Sequence, residues 1–245
     1  MSGEFRRAFG YALDFYLKRV ALVALFSIPF IIAILIANLV AAPTYLAAGA
    51  LFLRTGSIPE LSILDIVITV VAYALIMFIV SDTVVNLNIL VRSRRTMTET
   101  TTEMILAMKT HAIRIFYILT IGLLVMLVVQ LLLYDNQLGT WIYPVVTLVL
   151  WFFLSFSMPA VVIDNASTAN AIEYSVRFAL NRPLMVIKWM LILFVLLGVT
   201  MIFSYYTLSS PFWQNLVLLL NSIVFLPFLL ILQTQLYMEK YPLAR

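Results

Sequence analysis

Long apolar stretches separate short clusters of charged residues along this chain. The hydrocarbon core of a bilayer is about 30 Å thick and is crossed by roughly 20 apolar residues of α-helix. No charge occurs from Val20 to Leu53, and the uncharged run from Trp189 to Met238 is long enough for two crossings. The pattern therefore predicts six spans, at about residues 20–42, 65–91, 115–134, 140–163, 183–205 and 212–236.

The composition requires the same class of protein. The chain is 64% hydrophobic and 11% charged, whereas a soluble domain is roughly 45–50% apolar and about 25% charged. A core of this size cannot bury that excess, and the runs do not alternate in polarity as the strands of a membrane barrel would. We therefore predict an all-α polytopic membrane protein. A soluble enzyme or a nucleic-acid-binding module is excluded as a description of the whole chain.

Amphipathic segments precede three of the predicted spans. Apolar residues recur every three to four positions over residues 3–19, 99–113 and 168–182, which indicates interfacial helices in the membrane plane. At a constant spacing of 163, five residues of the first segment match five of the third: Ala8, Tyr11, Phe15, Leu17 and Arg19 match Ala171, Tyr174, Phe178, Leu180 and Arg182. This organisation predicts three repeats, each an interfacial helix followed by a hairpin of two spans. The alternative is that two unrelated amphipathic helices align by chance.

A short pattern accompanies the end of the fourth span. It consists of Pro159-Ala-Val-Val-Ile-Asp164, then Ala171-Ile-Glu-Tyr-Ser175, then Asn181-Arg182 before a long span. In these residues the chain resembles the membrane domain of glycerophosphodiester phosphodiesterases and related uncharacterised six-span proteins of bacteria and archaea. The resemblance implies the six-span fold and its topology. It implies no catalytic residues, because in the fused enzymes the chemistry belongs to a separate soluble domain.

The basic residues predict the orientation. With six spans, 14 of the 15 basic residues fall on one side and only Arg54 on the other. Since lysine and arginine collect in cytoplasmic loops, we expect a multi-pass protein of the cytoplasmic membrane with both termini in the cytoplasm. Six of these residues are candidate contacts for anionic lipid: Arg6, Arg7, Lys18, Arg19, Arg114 and Arg182.

Asp82 is the most informative single residue. It lies about 15 Å from Arg92 along the second span, and an intramembrane carboxylate is costly enough to suggest a function. Asn86 lies one turn away on the same face, and Lys188 lies at a comparable depth in the fifth span. One hypothesis is that these residues bind a cation, a proton or a head group in a cavity. The other is that Asp82 pairs with Lys188, or with waters and hydroxyls, and holds two helices together.

The remaining chemistry of the chain is sparse. It has no cysteine and a single histidine, His111, so thiolate and histidine-rich metal sites are excluded. We expect no metal, no cofactor and no enzyme activity. The preferred interpretation is a non-enzymatic module that handles lipid or a small solute through a cavity between helices. The alternative is a scaffold whose cytoplasmic helices dock a partner. The expected partners are membrane lipids, with a protein partner or a second copy left open and no nucleic acid.

Overall fold

The computed structural model describes residues 3–39, 63–96, 102–133, 139–207 and 211–240, and these residues form helices without a strand. The all-α class is therefore confirmed. Two π-helical turns, Phe194–Gly198 and Asn221–Phe225, interrupt the last two crossings. The α-helices are α1 Gly3–Lys18, α2 Val20–Leu39, α3 Ile63–Thr96, α4 Thr102–Leu132, α5 Gly139–Leu154, α6 Ser157–Ile163, α7 Thr168–Asn181, α8 Pro183–Leu193, α9 Val199–Thr207, α10 Pro211–Leu220 and α11 Leu226–Met238.

Most of the predicted spans correspond to helical segments of the right length. Five described segments are long and apolar enough to cross a bilayer: Val67–Ser93, Lys109–Gln130, Trp141–Ile163, Pro183–Ser204 and Leu216–Met238. The pair α1 and α2 meets the same criterion with a bend of 91° between them, which brings the number to six if the bent pair is one crossing. The polytopic membrane class is confirmed. The end of the predicted first span, 40–42, lies outside the described residues.

Two of the predicted interfacial helices are separate elements. α1 ends at Lys18, and α2 turns away from it at 91°. α7 ends at Asn181, where Arg182 adopts φ −134° and ψ 51°. The residue before a proline is pushed out of the α region by the pyrrolidine ring, so Pro183 accounts for this second break. No proline or glycine accompanies the first break.

Of the third predicted interfacial helix, at 99–113, residues 99–101 lie outside the described residues, and residues 102–113 do not form a separate element. α4 runs from Thr102 to Leu132 as one helix, so its first residues simply begin the third crossing. No proline or glycine lies between Thr102 and Arg114, and nothing else in the described residues interrupts the backbone hydrogen bonds there. Of the three predicted repeats, the first and the third therefore begin with a separate helix, α1 and α7 respectively. The second repeat does not, because α4 is continuous.

α1 and α7 occupy corresponding places in the bundle. α1 packs on α11, which belongs to the second span of the third unit. α7 packs on α5 and α6, which form the second span of the second unit. Each helix thus lies on the second span of the unit that precedes it around the bundle, an arrangement expected of repeats about a common axis. α11 is the central helix, because all its residues from Pro227 to Met238 are buried.

Besides the fifth crossing with its π-helical turn, the fourth and sixth crossings depart from regular α-helix. α5 ends at Leu154 and α6 begins at Ser157, so the fourth crossing is broken between them. In the sixth crossing the π-helical turn comes directly before Pro227. A proline has no N–H to donate, and its ring clashes with the carbonyl four residues earlier. The wider turn, in which the N–H of Leu226 donates to Asn221 O, accommodates this proline.

Aromatic rings fill the core where α6, α7, α8 and α11 meet. Phe156, in the break of the fourth crossing, stacks on Phe178 with ring centroids 4.6 Å apart. Its other neighbour is the Trp189 ring, 5.7 Å away. The ring of Tyr237 lies 5.5 Å from Phe178. These contacts hold the short helices α6 and α7 against the central helix.

Candidate functional site

Asp82 and Asn86 are brought together within α3. Asn86 Nδ2 donates to Asp82 Oδ2 at 3.1 Å. The hydroxyls of Ser81 and Thr83 donate to carbonyl oxygens one turn earlier in the same helix. The polar stretch of α3 is therefore largely satisfied by its own helix. Asn86 Oδ1 is buried and has no hydrogen-bond partner in the described part of the chain.

Lys188 lies apart from this pair. Its ammonium nitrogen is 5.5 Å from the centroid of the Phe5 ring in α1. Within the described residues, neither Asp82 nor Lys188 takes part in an ion pair. The Asp82–Lys188 ion pair that the sequence suggested is therefore absent from the described residues. A ligand role for Asp82 and Asn86 stays a prediction.

Three of the six candidate lipid contacts form hydrogen bonds or ion pairs between different parts of the bundle. Arg7 Nη2 lies 3.1 Å from the carboxylate of Glu239, just after α11. Arg182 Nη1 lies 3.2 Å from the carboxylate of Glu4 in α1. Arg114 Nη1 donates to carbonyl oxygens in the loop between α6 and α7 at 3.1 and 3.2 Å. These contacts lie at one end of the bundle, which we call the basic end.

The other three candidates lie on the surface of the basic end. Lys18 Nζ is 2.9 Å from the carboxylate of Asp14, one helical turn earlier. Arg6 is exposed on α1, and Arg19 is half-buried at the bend between α1 and α2. Their positions are compatible with lipid head groups, and their role as lipid contacts stays a prediction.

Asp164 and Lys240 form an ion pair at the basic end. Neither residue was among the candidate site residues indicated by the sequence. Asp164 Oδ2 accepts hydrogen bonds from the Tyr237 hydroxyl at 2.5 Å and from Lys240 Nζ at 2.6 Å. The Asp164 side chain is almost fully buried. A buried carboxylate of this kind is tolerated only with such charged and hydrogen-bonding partners. Asp164, which follows α6, thereby joins the fourth crossing to the central helix.

A pocket of about 630 Å³ lies between α5, α8 and α11, and we call it the lateral pocket. Its volume is within the range of about 300–1,000 Å³ that is typical of small-molecule sites. Most of its wall is apolar and includes Trp151, Trp189 and Leu230. Leu148 and Phe194 in the wall are 46% and 52% exposed. The pocket therefore reaches the outer surface of the spanning helices.

Three oxygen atoms belonging to residues of this wall are buried and unpaired. Thr147 Oγ1, Ser155 Oγ and Gln233 Oε1 have no hydrogen-bond partner among the described residues. Ser155 and Gln233 are each only 2% exposed. A buried polar atom without a partner costs about 1–3 kcal/mol. A bound molecule that supplies a hydrogen bond to one of these atoms would offset part of that cost.

The break between α5 and α6 positions these atoms. Ser155 lies in the break, and its carbonyl accepts a hydrogen bond from Gln233 Nε2 at 2.7 Å. This contact fixes the orientation of the Gln233 amide group. Its oxygen atom, Oε1, has no hydrogen-bond partner among the described residues. The last two carbonyls of α5 are satisfied by the hydroxyls of Ser157 and Ser175, at 2.6 and 2.5 Å. Side chains therefore replace the backbone hydrogen bonds that the break removes.

The sequence indicated a cavity between helices but did not indicate which polar residues line it. One signal could have found two of them: Thr147 and Ser155 are eight positions apart, so they lie on one face of a helix. Nothing comparable indicates Gln233, which joins the pocket from a distant helix. Among the residues that the structure describes, no three Asp, Glu or His side chains are grouped so that they could hold a metal ion. No family model, curated protein or solved structure matches this chain.

Proposed function

We propose that the protein is a non-enzymatic membrane module that binds a lipid-like molecule in the lateral pocket. The observation that carries this proposal is the pairing of an apolar wall with buried, unpaired oxygen atoms. The apolar wall matches a hydrocarbon body that enters from the bilayer between α5 and α8. Gln233 Oε1 is an acceptor, and the hydroxyls of Thr147 and Ser155 can donate or accept. The ligand class that fits is an amphiphile with a hydroxyl or amide N–H group.

The scaffold alternative receives less support from the two interfacial helices. The apolar faces of α1 and α7 are turned towards the bundle, with Ala8 and Ala171 fully buried. On their outer faces, two basic residues are paired along the helix, Lys18 with Asp14 and Arg177 with Glu173. These pairs reduce the unmatched charge that the two helices offer to a docking partner.

Tryptophan fluorescence tests the proposal directly, because Trp189 lies in the wall of the lateral pocket. The full chain is prepared with Trp189 as its single tryptophan, by Trp→Phe replacements at 141, 151 and 213, and is placed in nanodiscs. Diacylglycerol with brominated acyl chains is then added. Trp189 is buried from the bulk bilayer, so we expect its emission to be quenched only if the probe enters the pocket.

Two matched variants control this experiment. Thr147→Phe adds a ring inside the lateral pocket and should reduce the quenching strongly. Val149→Phe adds the same ring on an exposed, neighbouring face of α5 and should leave the quenching unchanged. Equal quenching in both variants, or no quenching in the parent protein, would contradict the proposal.

The polar end of the pocket is tested by Ser155→Ala. One hydrogen bond contributes about 0.5–1.5 kcal/mol, so losing the hydroxyl should weaken binding of brominated diacylglycerol about three- to tenfold. Binding of the corresponding methyl ether, which has no hydroxyl to donate, should change less. An identical loss of affinity for the two probes would show that Ser155 does not form a hydrogen bond with the hydroxyl of diacylglycerol.

We also propose that the basic end faces the cytoplasm, since arginine and lysine are retained on that side of membranes. The chain has no cysteine, so single cysteines at Gln137 and Thr168 can be labelled with a membrane-impermeant maleimide. We expect labelling at Gln137 in intact cells and at Thr168 only after lysis. Labelling at Thr168 in intact cells would reverse the orientation.

A further inference from the structure

A second apolar space lies beneath α1, and we call it the α1 groove. Its volume is about 570 Å³, and its wall is formed by α1, α8, both π-helical turns and α11. Phe9 and Tyr16 of α1 contribute to it, and both rings meet Phe228 edge-on with centroids 5.9 Å apart. Burial raises the pKa of the Tyr16 hydroxyl, as expected in apolar surroundings.

The α1 groove is separate from the lateral pocket. The lateral pocket uses Trp189 and Leu193 of α8, whereas the groove uses Leu191 and Ile192. At 100° per residue these two pairs lie on roughly opposite faces of the helix. α8 therefore forms a wall between the two spaces.

Lys188 lies at the end of the α1 groove. It is one helical turn before Leu191 and Ile192, on the same face of α8. Its ammonium lies 5.5 Å from the centroid of Phe5, which is itself part of the groove wall. No carboxylate in the described residues is within ion-pairing distance of this ammonium. Glu4, next to Phe5 in the chain, is paired with Arg182.

We propose that the α1 groove binds an anionic phospholipid, with one acyl chain along the groove and its phosphate at Lys188. The apolar wall matches an acyl chain and provides no hydrogen-bonding groups for a polar ligand. A neutral hydrocarbon would leave the Lys188 charge unmatched, whereas a phosphate compensates it. The lipid would complete the packing of α1, whose inner face the bundle covers only in part.

Native mass spectrometry of the full chain in mild detergent tests this proposal. Phosphatidylglycerol and phosphatidylcholine with identical acyl chains are offered in equal amounts. One lysine near an anionic lipid is worth about a fivefold preference, so we expect the protein to retain about five times more phosphatidylglycerol. Lys188→Gln should abolish the preference, and Lys188→Arg should keep it. Lys109→Gln removes the same charge from an exposed position on α4 and should leave the preference intact.

The acyl-chain position is tested by filling the groove. Val195→Phe adds a ring to its wall and should lower the retention of both lipids several-fold. Val128→Phe adds the same ring on the exposed face of α4 and should have no effect. Equal loss of preference in Lys188→Gln and Lys109→Gln, or full retention in Val195→Phe, would overturn the proposal. Thr147→Phe, in the lateral pocket, should not alter the preference for phosphatidylglycerol. The proposals for the α1 groove and for the lateral pocket can therefore be refuted independently of each other.

Discussion

α1 and α7 share a pattern of buried and exposed positions. Ala8 and the corresponding Ala171 are both 0% exposed, and Leu17 and the corresponding Leu180 are 63% and 64% exposed. Residues that are 163 positions apart therefore lie on corresponding inner or outer faces of the two helices. Both helices lie on the second span of the preceding unit.

What lies beneath the two helices differs. Phe178 of α7 is 6% exposed and stacks on Phe156, which stands in the break of the fourth crossing. The corresponding Phe15 of α1 is only half-buried, and α1 leaves an open groove over α8. The amphipathic pattern thus determines which face turns inward. How completely that face is covered depends on the partner helix.

The largest expected effect is the loss of the Phe178 ring. Phe178→Ala should destabilise the protein by about 3–5 kcal/mol, because it leaves a cavity among packed aromatic rings. Phe15→Ala, at the corresponding position, should cost less than half as much. Chemical unfolding in detergent, followed by near-UV circular dichroism, measures both. Equal losses would mean that the two helices are covered alike.

An intermediate effect is expected where the two helices differ by one hydroxyl. Ser175, buried in α7, donates to Phe153 O, and Ala12 is its counterpart in α1. Ser175→Ala should cost about 1 kcal/mol, the usual net value of such a hydrogen bond. Ala12→Ser should bring no gain in melting temperature, because α11, on which α1 packs, continues without a break from Leu226 to Met238. A gain comparable to the loss at Ser175 would contradict this difference.

The smallest effect is expected at the exposed ion pairs. Lys18 pairs with Asp14, and Arg177 pairs with Glu173, each four positions apart on its helix. Such pairs contribute about 0.3–0.5 kcal/mol, so Lys18→Gln and Arg177→Gln should lower the melting temperature slightly and equally. A much larger loss of melting temperature in either variant would show that the removed charge also stabilises contacts with another helix.

The sequence predicted the long apolar helices and the separate amphipathic helices α1 and α7, because these follow from local composition. It failed at residues 102–113, where the apolar stripe is as regular as in α1 but the helix continues into the span. The break after Lys18 could not be predicted from the sequence either, since no proline or glycine lies there. There the packing of α1 on α11 turns the chain, and that packing involves residues more than 200 positions away, as in the pair of Arg7 with Glu239.

The candidate sites show the same limit. Asp82 and Lys188 lie at comparable depths along their spans, yet α3 packs mainly on α2, α4, α6 and α11, whereas α8 packs mainly on α5, α7 and α11. Depth can be computed from residue number and rise per residue. Which helices become neighbours depends on the tertiary packing, and Lys188 lies near Phe5 of α1 rather than near α3.

The sequence by itself determined the all-α polytopic membrane class and the presence of five to six helices long enough to cross a bilayer. These properties depend on periodicity and hydrophobicity measured against a bilayer of known thickness. Only the tertiary structure decided which buried polar atoms have partners. Gln233 meets Ser155 across 78 positions, and Tyr237 meets Asp164 across 73. Because a hydrogen bond requires atoms within about 3 Å, its presence or absence is decided by how the helices pack together.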